Sequence, residues 1–446
     1  MKTKNLPLGI FLFSLPLIAS NLLQVLFNMA DVAVIGRFAG SVSLAAVGST
    51  VTAVTLFTAL HIGFGGGINA LAARYIGASD TDRLKKTVHT ALILSLFLGV
   101  LVLLFGLFGS RALLELLGTK EELLDKASLY MRIFFLGMPA LAVYNFGAAV
   151  YSAAGNTKKP LFYLLSGGVC NVILNIVFVV VCRLDVAGVA LASAISQYLS
   201  ATLVIVTMIR EKSDFALKLS ALRLSKREAG EILSLGVPAA LQNAVFYVAN
   251  LFIQAGVNTF DTVTVAGNSA AANADGLVYD VMAAFYIACS SFIGRAYGAG
   301  EKKKIVKICF ICLAYSFLSG AILGLSLVAA GPAFLSLFTS DGAVIAEGMK
   351  RLSVMGLSYA ISAFMDNALA ASRGVGQGVV PMIFVILGSC VFRIVWIYTV
   401  FAHFGTLSSL YLLYVFSWTL TAIPVNVYFA RCLKKIKEPV EAPAKM

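Results

Sequence analysis

Arg74-Tyr75-Ile76-Gly77-Ala78 returns as Arg295-Ala296-Tyr297-Gly298-Ala299, an offset of 221 residues (295 − 74). A second landmark keeps the same spacing: Gly155-Asn156-Thr157-Lys158-Lys159-Pro160 returns as Gly376-Gln377-Gly378-Val379-Val380-Pro381, again 221 on (376 − 155). Two separate landmarks with one offset mark an internal duplication. Duplication in a hydrophobic chain is the mark of transporters whose halves rock about a shared site.

The surroundings of the landmarks are apolar. Of 446 residues, 60% are hydrophobic and 12% charged, against about 25% charged in soluble domains. So few charges cannot build an aqueous surface of this size, and runs of about 20 apolar residues close their backbone hydrogen bonds in lipid only as helices. Twelve such runs are expected, roughly over 8–36, 43–69, 88–109, 129–152, 161–182, 187–209, 232–256, 263–292, 305–330, 352–372, 381–402 and 408–430. The first run follows Lys2 and Lys4, as a secretory signal does, but it is too long and holds Gln24, Asn28 and Asp31, so it is expected to be a span.

The expected fold is an all-α membrane protein. Its twelve transmembrane helices form two six-helix lobes related by a pseudo-two-fold axis along the membrane normal, because an even helix number per copy keeps both copies in one orientation. The polar, basic stretch from Arg210 to Glu231 is the seam. The expected divisions are an N-lobe over 1–215, a cytoplasmic linker over 216–231 with a short surface helix near Leu217–Leu224, and a C-lobe over 232–446. Pro16 and Pro238, 222 apart (238 − 16), stand in the first helix of each half and can kink it. The tail from Lys434 is expected to fray.

The net charge of +13 suggests nucleic acid until it is mapped. Numbering the segments between runs alternately puts 25 of the 34 Lys and Arg residues on one side, eight on the other, and Arg393 inside a helix. That asymmetry is the positive-inside bias. It accounts for the bases without nucleic acid and puts both termini in the cytoplasm, with the chain in the cell membrane. Seven scattered cysteines, including the Cys309 and Cys312 pair, lack a second pair or a nearby histidine, so neither a disulfide framework nor a metal cage is expected. Gly374-Val375-Gly376-Gln377-Gly378 mimics a phosphate loop but follows no strand, and is expected to be a turn.

A charge at membrane depth costs at least about 2.5–3.5 kcal/mol on insertion scales. Four acids lie in the runs, Asp31, Asp275, Asp280 and Asp366, with one base, Arg393, away from the run ends; Arg132 and Lys307 stand within three residues of a run's start. Ser20, Gln24 and Asp31 fall within about 40° of each other on their helix, with Asn28 somewhat further round. Asn171 and Asn175 stand at i and i+4 on the fifth helix, and Ser193, Gln197 and Ser200 on the sixth, able to surround Asp31. Interhelical glue is the alternative role for these amides. In the second half, Asn243, Tyr247, Asn250 and Gln254 form one stripe, Asp275, Tyr279, Met282 and Tyr286 another, and Tyr359, Ser362, Asp366 and Arg373 a third. Carboxylates, ring faces and a thioether on one face suit a cavity for greasy cations. The alternative is that Asp280 and Asp366 pair with Arg393 in a structural bridge.

Several stretches also carry a family likeness. Met29-Ala30-Asp31-Val32-Ala33-Val34-Ile35-Gly36 resembles the first-helix motif of the multidrug and toxic compound extrusion (MATE) transporters of bacteria. Asn171-Val172-Ile173-Leu174-Asn175, followed by Val186-Ala187-Gly188-Val189-Ala190-Leu191-Ala192, resembles their fifth and sixth helices, and Arg373-Gly374-Val375-Gly376 to Pro381 resembles their tenth-helix exit. The resemblance covers nearly the whole chain. It implies export of amphipathic, cationic drug-like compounds against inward flow of protons or sodium. The first-helix aspartate, Asp31, would carry the coupling ion with Asn171 assisting, which makes these two a possible sodium site. The family often has an aspartate where this chain has Asn175, so one charge is missing there. By the same resemblance, Asp366 would be the counterpart, displaced by about one turn, of a tenth-helix acid found in some members.

No cofactor is expected beyond the coupling ion, and a monomer in contact with membrane lipids is expected. Burial penalises a carboxylate's charged form, so neutralising Asp31 would rearrange its partners and narrow the drug cavity. A flippase for lipid-linked cell-envelope precursors is the alternative function, but it calls for clustered bases rather than four acids and one arginine. His61, His89 and His403 are isolated, so no catalytic constellation is expected.

Overall fold

The computed structural model describes residues 5–436. The expected fraying from Lys434 therefore falls largely outside the described residues, and the helix before it runs to Lys435. Eleven helices are long and apolar enough to cross a membrane: α1 (Leu6–Phe38), α2 (Ser41–Gly77), α3 (Thr81–Leu116), then, after the pair α4 (Glu121–Phe135) and α5 (Met138–Ala153), α6 (Lys158–Val181), α7 (Asp185–Arg210), α8 (Lys226–Val257), α9 (Thr262–Gly298), α10 (Lys302–Ala329), and, after the short α11 (Gly331–Leu335), α12 (Gly342–Gly374), α13 (Val379–Phe404) and α14 (Leu407–Lys435). The pair α4 and α5 supplies a twelfth span, bent by 45°. The single run expected over 129–152 is thus broken at Leu136–Gly137, where Pro139 near the start of α5 lacks the N–H that would continue the ladder. Among the described residues there is no strand.

The chain forms two compact units. One comprises Ala19–Ile76 and Asp80–Ala244; the other comprises the residues up to Ile18, Gly77–Ser79, and Val245 onward. Two of the exchange points fall deep inside continuous helices, past Pro16 in α1 and past Pro238 in α8. In the first unit α8 docks through bare backbone. A Cβ on Gly63 would lie 2.5 Å from the Ala239 carbonyl oxygen, and one on Gly67 would lie 2.4 Å from the Gly236 nitrogen. Small residues four apart let two helices approach this closely.

The stretch before α8 is tied to the same unit. Leu217 is buried, His89 Nε2 lies 3.1 Å from both the nitrogen and the oxygen of Lys218, and Thr90 Oγ1 accepts from Ser225 N at 3.1 Å. These backbone ties leave one 3-10 turn, Leu219–Ala221, where a surface helix over 217–224 was expected.

The duplication is visible in the packing. Gly99 sits against Pro139 and Gly320 against Ala360, both pairs one repeat apart. Gly167 sits against Ser200 and Gly388 against Thr421, again one repeat apart. α6 ends in a π turn, Ile176–Val181, and α13 repeats it at Ile397–Phe401, with an extra π turn at Ile386–Val391. Phe97, Phe108, Phe310 and Ile322 point outward, as lipid-facing side chains do. All seven cysteines are free.

Candidate functional site

In the first unit, three helices meet at Asp31. Asn175 Nδ2 donates to Asp31 Oδ1 at 2.5 Å, and Ser193 Oγ donates to Asp31 Oδ2 at 3.2 Å. Asn175 Nδ2 also donates to Asn171 Oδ1 at 3.2 Å, and Asn171 Nδ2 donates to Ser193 Oγ at 3.2 Å. The four side chains close a ring whose donors converge on one carboxylate. α1 brings the acid, successive turns of α6 bring the two amides, and α7 brings the hydroxyl. Asn171, Asn175 and Ser193 are buried. The hydrogen bonds favour the anion while burial opposes it. Asn175 Oδ1 is buried without a hydrogen-bond partner among the described residues, which leaves an acceptor beside the carboxylate. A proton or a small cation could satisfy both.

The rest of the expected cluster is placed differently. Gln24 is half-buried and Asn28 exposed, and among the described residues neither hydrogen-bonds to Asp31. Ser200 donates to Tyr163 O at 3.1 Å instead, and Gln197 lies against Gly137. The ends of α1 and α6 wall a cavity of about 300 Å3 lined by Phe38, Ala39, Val179, Val180, Arg183 and Asp185. Lys126 holds Asp185 at 2.5 Å and Ser43 at 2.9 Å.

The second unit holds the other polar groups, and it separates them. Asp275 is in contact with the Arg351 guanidinium and accepts from Tyr359 Oη. Arg351 Nη1 also donates to Asn268 Oδ1 at 2.8 Å, Tyr411 Oη donates to the same oxygen at 3.2 Å, and the guanidinium lies 5.5 Å and 5.6 Å from the ring centres of Tyr411 and Tyr414. An apolar run that begins at 352 leaves Arg351 just outside the expected span. Arg351 is 4% exposed, inside α12. Extending the Tyr359, Ser362 and Asp366 stripe two turns back reaches it, and that periodicity was the available signal.

Asp366 is buried, and its Oδ2 has no hydrogen-bond partner among the described residues. The alternative bridge from Asp366 to Arg393 is not formed among the described residues. Arg393 donates to Ser417 and Asn250, so its hydrogen bonds go to neutral groups. Tyr247 and Tyr279 are each 38% exposed, and Tyr279 pairs edge-on with the buried Tyr286 at 6.3 Å. Met282 is fully buried in the core against Gly320. Asn243 belongs with the other unit, donating to Ala59 O at 3.3 Å. Among the described residues no three His, Cys, Asp or Glu side chains form a metal-binding group.

Duplicated spans with a half-buried, amide-ringed carboxyl in one unit define a multi-pass membrane transporter rather than an enzyme. The chain belongs to the MatE family, whose model matches residues 16–177 and again 238–399. It is similar to the probable multidrug resistance protein YpnP of Bacillus subtilis, with 29% identity over 66% of each chain. It is also similar to the multidrug export protein MepA of Staphylococcus saprophyticus, with 24% identity over 85% of this chain and 87% of that one. The fold matches the crystal structure of a MATE transporter in complex with MaD3S, with a TM-score of 0.88, 22% identity, and 97% of both chains covered.

Proposed function

We propose that the protein exports amphipathic, cationic drug-like compounds across the cell membrane in exchange for protons or sodium ions, with Asp31 as the coupling group and both termini cytoplasmic. The observation that carries this reading is the closed ring of Asp31, Asn175, Asn171 and Ser193. An ion that binds Asp31 displaces at least one of its donors, and each donor belongs to a different helix from Asp31. Ion occupancy is thereby tied to how α1 packs on α6 and α7. A ligand biases such an equilibrium only through unequal affinity for its two states.

Relatives named for multidrug export support the substrate class. Substrates would meet Tyr247 and Tyr279, whose exposed rings offer cation–π contacts of about 0.5–2 kcal/mol. The Asp275 carboxylate is less available, because Arg351 already neutralises it. The flippase alternative gains no support from Arg351 for the same reason.

The test is transport of a permanent organic cation by purified protein in liposomes, with proton and sodium gradients imposed separately. Uptake should follow one gradient and be abolished by Asp31→Asn. Full transport by Asp31→Asn at normal protein levels would reject the role of Asp31, and no transport under either gradient would reject the export reading.

A further inference from the structure

Arg393 carries a permanent charge inside the span Val379–Phe404 and is 2% exposed. Proteins ordinarily offset a buried charge with an opposite charge in contact. Arg351 obeys that rule through Asp275, and Arg393 does not. Its Nε donates to Ser417 Oγ and its Nη1 to Asn250 Oδ1, each at 3.1 Å. The guanidinium lies 4.8 Å from the ring centre of Tyr414 and 5.7 Å from that of Phe246. All four partners are neutral. Among the described residues no carboxylate lies within 4.0 Å of it, and Asp366 is the acid it senses at longer range.

The site around this charge is built, and one of its walls is accessible. Ser417 Oγ, which accepts from Arg393, is itself fixed by donating to Tyr414 O at 3.0 Å. Two ring faces hold the guanidinium in place. Asn250 is the exposed member of the set, and exposed Tyr247 lies nearly one turn away on α8. The turn that bears Arg393, Phe392–Trp396, is flanked by π turns on both sides, and π turns recur at functional positions in helices. A guanidinium has five N–H donors in a planar fork, and the hydrogen bonds above use one on Nε and one on Nη1.

We propose that Arg393 is the receptor for an oxyanion, a carboxylate, sulfonate or phosphate carried by an amphipathic substrate, which takes the place of the Asn250 amide at Nη1. The exchange replaces a hydrogen bond to a neutral amide with charge-assisted, bidentate hydrogen bonds, which are roughly twice as strong. It also gives the buried cation the counter-charge that it lacks. This inference rests on the export reading and adds to it: the protein takes compounds bearing an anionic group as well as a cationic one.

The test uses two probes, a rhodamine carboxylate and its ethyl ester, which share the cationic ring system and differ in the anionic group. Equilibrium binding is measured in dodecyl maltoside micelles, which contain no phosphate, so the dye is the sole source of the oxyanion. The unmodified protein should bind the acid more tightly than the ester. Arg393→Gln should lose at least about tenfold for the acid and leave the ester unchanged, with Arg393→Lys between the two. If Arg393→Gln does not fold, Asn250→Ala keeps the guanidinium, frees Nη1, and should tighten the acid alone. An acid-to-ester ratio that Arg393→Gln leaves unchanged, or that Asn250→Ala leaves unchanged, overturns the proposal. Transport of the ester in liposomes separates the two levels, because its absence rejects the export reading, whereas ester transport with an unmoved ratio rejects the oxyanion site alone.

Discussion

The Arg351 guanidinium rests against the Asp275 carboxylate across 76 residues of chain. Two charges that look costly one at a time are a neutral pair, braced by Tyr359, Asn268 and Tyr411. Removing one partner leaves the other buried and uncompensated, a loss of about 3–5 kcal/mol, whereas replacing both is far milder. Asp275→Asn and Arg351→Met should therefore each lower the melting temperature in detergent markedly, and the double variant should recover much of the loss. Additive losses would show that the two side chains act independently.

Asn175 donates to Asp31 at 2.5 Å. Asn175→Asp would put a second carboxyl at that distance, and two carboxylates so close cannot both ionise without a cation or a proton between them. The variant should gain more thermal stability from added sodium chloride than the unmodified protein does, relative to equal potassium chloride. A matched response to both salts in both proteins would contradict this.

Gly67 and Gly230 make a contrast that tests packing. A Cβ at Gly67 would meet the backbone of Gly236, whereas one at Gly230, an exposed position in α8, meets nothing within 4 Å. Gly67→Val should fail to accumulate as folded protein. Gly230→Ala should be neutral or gain about 0.5–1 kcal/mol from lost backbone freedom in the unfolded chain. Size-exclusion profiles and melting curves read both.

His89 and Thr90 hold the segment before α8 through its backbone. The double change His89→Ala with Thr90→Val should release that segment and speed tryptic cleavage after exposed Lys218 and Arg223 several-fold, with the spans still intact. Unchanged cleavage kinetics would assign the anchoring to buried Leu217 alone.

The span pattern was legible because lipid demands long apolar helices, and the duplication because close helix packing preserves glycines such as Gly99 and Gly320 at one spacing. Asp31 was legible as a lone acid among amides, and the ring that closes on it uses the two asparagines and the serine that the i, i+4 spacing had put on facing helices. What stayed hidden was pairing across distant helices. Arg351 looked like a loop base because hydropathy windows end where a charge begins, although the helix continues two turns beyond it. Asn243 read as part of the stripe with Tyr247, but α8 passes from one unit to the other between them. Periodicity assigns a face to each helix and cannot say which neighbour that face meets.

The π turn at Ile176–Val181 has its twin at Ile397–Phe401, one repeat later. Such a turn is a local widening in which backbone hydrogen bonds reach one residue further along the helix. The unmatched turn at Ile386–Val391 lies between Pro381 and Ile397, which both keep the 221 spacing to Pro160 and Ile176, so it widens the second half's helix without lengthening it.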